Sequence, residues 1–130
     1  MNPRLVGLSL AVVLVMAAAS VGLASGGSAY VTSSCEYPSL QDNSIDNDNV
    51  TYVWVKETGD GFGTLTWTAF NNPSGATDGD GLTATGCTRD GGKYVLYSVD
   101  GYPTSPLGSW TLTVWDGSDS VSSDSYRLRD

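Results

Sequence analysis

The apolar positions fall into two patterns that change near residue 30. From Leu5 to Leu23 they form an almost unbroken run, preceded by one basic residue, Arg4, and followed by small residues. A charged start, an apolar stretch and a small-residue cleavage region make a secretory leader. Gly22-Leu23-Ala24 and Gly27-Ser28-Ala29 both offer the small side chains at which a leader is cut. The reading taken is a leader over 1–29 and a domain over 30–130. The alternative is a retained membrane anchor, because Leu5 to Leu23 is just long enough to span a bilayer core of about 30 Å.

Beyond the leader the period changes to two. Seven short runs rich in Thr, Val, Tyr and Trp are separated by Gly, Asp, Asn and Pro: Tyr30 to Ser33, Val50 to Glu57, Gly63 to Phe70, Leu82 to Thr88, Lys93 to Val99, Ser109 to Asp116 and Val121 to Leu128. No stretch carries a helical period of useful length, so the domain is predicted to be all-β, a single antiparallel sandwich of about seven strands. Alternation also assigns faces. Leu65, Trp67 and Ala69 oppose Thr64, Thr66 and Thr68, and Trp110, Leu112 and Val114 oppose Thr111, Thr113 and Trp115. The first set of each pair is the predicted core, with Trp115 left on the far face. Tyr52 and Trp54 against Val53 and Val55 are apolar on both sides, which predicts a central strand.

Charge narrows the partners. The chain carries six basic and fourteen acidic residues, a net charge of −8, and losing Arg4 with the leader takes it to −9. Nucleic acid and anionic membrane surfaces are repelled by such a surface, so membrane contact is expected only through the leader if it is kept. Scattered aspartates with only two lysines fit a domain adapted to high salt, where the Debye length falls to about 3 Å. In an exported chain Cys35 and Cys87, the two cysteines present, are expected to form a disulfide.

Two segments resemble parts of secreted microbial immunoglobulin-like modules. Asp90-Gly91-Gly92-Lys93-Tyr94-Val95-Leu96 is similar to the corner that opens the penultimate strand, with Leu96 where many such domains carry a cysteine. Gly108-Ser109-Trp110-Thr111-Leu112-Thr113-Val114-Trp115-Asp116 is similar to the penultimate strand itself, and both cannot hold that place. The resemblance covers about residues 82–128 and implies an immunoglobulin-like sandwich with a generic binding or spacer role. Cys35, Trp54 and Cys87 follow the order of an antibody-type pin, but the wide Cys35 to Trp54 spacing means that the disulfide need not join the two sheets.

Candidate chemistry is sparse. With no histidine in the chain, a Ser-His-Asp triad, a Cys-His pair and histidine zinc sites are excluded. A carboxylate pair drawn from Glu36, Glu57 and the aspartates keeps a small glycan hydrolase formally open, against a non-catalytic reading that is preferred. Asp42, Asp46 and Asp48, and separately Asp78 and Asp80, are candidate calcium ligands. Tyr102, Leu107 and Trp115 are candidate contacts for an extracellular protein or glycan, the first two on the proline-bearing loop Asp100 to Gly108. Tyr37, Tyr97 and Tyr126 join Tyr102 and Trp115 as candidate exposed rings for sugar stacking. Asn49-Val50-Thr51 is a glycosylation sequon. Tyr30 to Ser33 is a candidate donor strand for self-assembly into filaments. The expectation is a secreted or cell-surface, salt-tolerant binding or structural module.

Overall fold

The computed structural model describes residues 27–36, 40–58 and 61–130. The leader as far as residue 26, and Tyr37, lie outside the described residues. Eight strands and no helix occur among the described residues: β1 Ser28–Thr32, β2 Ser44–Asp46, β3 Tyr52–Lys56, β4 Leu65–Asn72, β5 Thr77–Arg89, β6 Tyr94–Val99, β7 Gly108–Asp116 and β8 Asp119–Arg129. Each of the seven predicted runs is a strand. The eighth, β2, lies inside the segment that carries the candidate calcium ligands Asp42, Asp46 and Asp48, and Ile45 is its only apolar residue.

The strands form one hydrogen-bonded order, β1-β3-β6-β5-β4-β7-β8-β2. Every pairing is antiparallel except that of β8 with β2. The long strand β5 belongs to two layers: Thr77 to Gly81 pair with β4, and Leu82 to Arg89 pair with β6. The sheet therefore divides at β5 into β1-β3-β6-β5 and β5-β4-β7-β8-β2, which is the A-B-E-D and C-F-G division of an immunoglobulin-like sandwich. The two inner faces meet in a core that includes Trp67, Trp110, Leu112 and Val114 from one layer and Val31, Val53, Val55 and Val99 from the other.

The face assignments from alternation hold. Leu65, Trp67 and Ala69 are buried while Thr64, Thr66 and Thr68 are exposed. Val53, Trp54 and Val55 are all fully buried in the central strand β3. One of the two corners is corrected: Asp90 to Leu96 opens β6, not the penultimate strand, which is β7. Asp90 (φ 55°), Gly91 (φ 67°) and Gly92 (φ 89°) turn through left-handed backbone, and the Gly92 N–H bonds the Arg89 carbonyl at 3.1 Å. So tight a reversal joins neighbouring strands of one layer. The longer segment after Val99 makes the crossing to β7.

The predicted boundary at Tyr30 falls inside β1. Ala29 is 3% exposed and pairs with Val55, and Ser28 pairs with Lys56. Gly27 (φ +126°) packs so closely that a Cβ there would lie 2.3 Å from the Lys56 carbonyl oxygen and 2.9 Å from Val121. β1 is also tied to the other layer, since the Val31 N–H donates to Asp124 Oδ2 of β8 at 2.8 Å. The strand proposed as a donor for filament assembly is thus paired within its own chain.

Candidate functional site

The outer side of the β5-β4-β7-β8 layer is a lattice of small neutral side chains. Register aligns it in three rows across the strands: Thr77, Phe70, Thr111 and Ser125; Gly79, Thr68, Thr113 and Ser123; Gly81, Thr66, Trp115 and Ser120. Strand geometry spaces these rows by about 6.7 Å and the columns by about 4.8 Å. Hydroxyls pair across β7 and β8, Thr113 with Ser123 at 2.7 Å and Thr111 with Ser125 at 3.2 Å. Trp115 Nε1 donates to Thr68 Oγ1 on the neighbouring strand at 2.9 Å, which lays the half-buried indole across the sheet. Phe70, 48% exposed, stands nearby on β4. Gly79 is required here, because a Cβ would come within 2.9 Å of the Trp67 carbonyl. The result is an open groove of about 820 Å³ over Thr68, Phe70, Thr111 and Thr113, with Asp78 of β5 also in its lining. Charge enters at the corners, with Asp100 beside Gly81 and Arg127 opposite Ser109.

A second cluster joins the two layers. Both carboxyl oxygens of Glu57, just after β3, are withdrawn from solvent and accept no hydrogen from a donor among the described residues. Facing them is the carboxylate of Asp116 at the end of β7. Burial first, and then the Asp116 carboxylate, push Glu57 up to about 7. Burial and the same two acids also raise the hydroxyl of Tyr97, whose ring meets Phe62 edge-on at 5.9 Å.

The acidic segments spend their oxygens locally. Asp42 Oδ2 accepts from Ser33 and its Oδ1 from the Ser44 N–H. Asp46 accepts the Asp48 N–H and pairs with Arg129 at 3.5 Å. Asp78 and Asp80 each accept the following glycine N–H at 2.8 Å. Among the described residues no three acidic or cysteine side chains converge on a metal-sized site. Asn49 is exposed at the approach to β3.

Cys35 and Cys87 come together. Cys35 lies in the turn after β1 and Cys87 in an irregularity of β5 between Ala84 and Thr88. Both line one hollow with Thr85 and Leu96. Their sulfurs stand close enough that a hydrogen bond to Cys87 leads the causes that raise Cys35. Both belong to the side of β1 and the β6-pairing half of β5, so a bond between them would not pin one layer to the other.

Two predicted exposures are corrected: Tyr97 is 9% and Tyr126 4% exposed. Both rings occupy inner-face positions and pack in the core. Tyr102 packs against the core and donates its hydroxyl to the Asn49 carbonyl, so it anchors the Asp100 to Gly108 loop instead of projecting from it. Leu107, 47% exposed, does project. Two residues passed over in the sequence prove structural. Asn71, 1% exposed, donates to the Ser109 carbonyl at 3.0 Å, and Asp124 holds both β1 and Gln41.

No protein-family model matches the chain, and no curated protein matches it. Among solved structures it is similar to an immunoglobulin-like protein from Pseudomonas aeruginosa, with 16% identity over 81% of this chain and 90% of that one and a TM-score of 0.38. The immunoglobulin-like assignment made above stands on the strand order.

Proposed function

We propose that the protein is an exported, non-catalytic binding module whose contact surface is the outer face of the β4-β7-β8 layer. The observation that carries this reading is the exclusion of charge. In a chain with fourteen acidic residues, the three rows across β5, β4, β7 and β8 hold only Thr, Ser, Gly, Phe and Trp. Solubility alone would favour aspartate there as elsewhere. Export is read from the leader pattern, and a Cys35 to Cys87 disulfide belongs to the same reading.

The test is adhesion of the mature domain to a panel of extracellular polymers and proteins, compared with the Thr66→Asp/Thr111→Asp double variant. Both positions are exposed, so circular dichroism should be unchanged. Adhesion lost in the double variant, with no turnover of what is bound, supports the reading. Adhesion retained at full strength overturns it.

A further inference from the structure

We infer that the partner of this face is a neutral, hydroxyl-rich polysaccharide; this rests on the reading of the face as the contact surface. Three features converge on that chemistry. First, the three rows hold no charged side chain and Asp78 is the one acid in the lining of the groove, while the rest of the molecule is strongly acidic. An anionic glycan or nucleic acid is repelled by the whole, and a cationic partner finds its attraction elsewhere on the surface. Second, its polar groups are hydroxyls, each donor and acceptor at once. They stand in a regular lattice that complements repeated sugar hydroxyls better than a peptide's alternating amides. Third, Trp115 offers a flat apolar platform. Its N–H is already satisfied by Thr68 Oγ1 at 2.9 Å, so the part of this half-buried indole that reaches solvent can meet the C–H face of a sugar ring with little conformational freedom to lose. Phe70, 48% exposed, supplies a second ring two rows away on the neighbouring strand, where it lines the groove with Gly79 and Thr113.

Affinity gel electrophoresis of the mature, oxidised domain tests this. The gels contain hydroxyethyl cellulose, galactomannan or alginate, and the variants are Trp115→Ala, Trp115→Tyr and Thr66→Asp/Thr111→Asp. The expected result is retardation by at least one neutral polysaccharide and none by alginate. Trp115→Ala should weaken binding by about tenfold, as loss of one aromatic contact predicts, while Trp115→Tyr keeps most of it. Thermal melts show whether each variant is folded, and the double aspartate variant repeats the test where Trp115→Ala fails to fold. Equal retardation by alginate overturns the inference. If no neutral polysaccharide retards the domain while the double variant abolishes adhesion to another extracellular partner, the inference falls and the contact surface stands. If a neutral polysaccharide binds and neither Trp115→Ala nor the double variant weakens it, both fall.

Discussion

At the scale of single residues, Glu57 and Asp116 make the sharpest prediction. The folded state holds a proton on Glu57 up to about pH 7, whereas the unfolded chain gives it up near the ordinary carboxylate value of about 4.3. Folding therefore takes up a proton in that window. The stability present below the unfolded value is lost as pH rises through about 7. Urea unfolding should show a midpoint that falls between pH 5 and pH 8, and Glu57→Gln, which keeps the shape and drops the charge, should flatten that dependence. An equal slope in wild type and variant would contradict the raised Glu57. The core tryptophans were legible in the sequence because period-two alternation marks an inner face directly. The Glu57 pairing was not, because its partner is contributed by another layer 59 positions along the chain.

At the scale of elements, the strands were legible and their neighbours were not. Thr, Val and Trp in alternation mark β4 and β7 without ambiguity. β2 escaped notice because three residues with one apolar side chain carry no period, and its order comes from a parallel pairing to the distant β8. The two similar corners could be told apart only by where each chain reversal leads. Trp115 lies in the outer row that alternation predicts for it, whereas Tyr97 and Tyr126 were offered as exposed because a tyrosine's place depends on the facing layer.

β1 also decides where a leader can be removed. Cutting after Ala29 would take away Ser28 and the buried Ala29 together with Gly27, whereas cutting after Ala24 leaves the strand whole. Intact-mass measurement of protein from the culture medium should give a chain starting at Ser25, two hydrogens lighter than the reduced form. A start at Tyr30 would contradict the first expectation. Free thiols would contradict the second, and with it about 4 kcal/mol of stability expected from closing so long a loop.

At the scale of the molecule, two kinds of surface coexist. The acidic part lowers stability by self-repulsion, which salt screens. Thermal melts should shift upward from dilute buffer to molar sodium chloride, and a melting temperature independent of salt would contradict the high-salt adaptation. The neutral rows on β4, β7 and β8 are the exception to that charge, and they support the functional reading. Hydrogen–deuterium exchange of the mature domain, with and without the neutral polysaccharide that retards it, tests that reading most directly. The account predicts slowed exchange confined to residues 66–70, 109–115 and 120–125. Slowed exchange in the Asp100 to Gly108 loop or the 42–49 segment, with these strands unchanged, would contradict it.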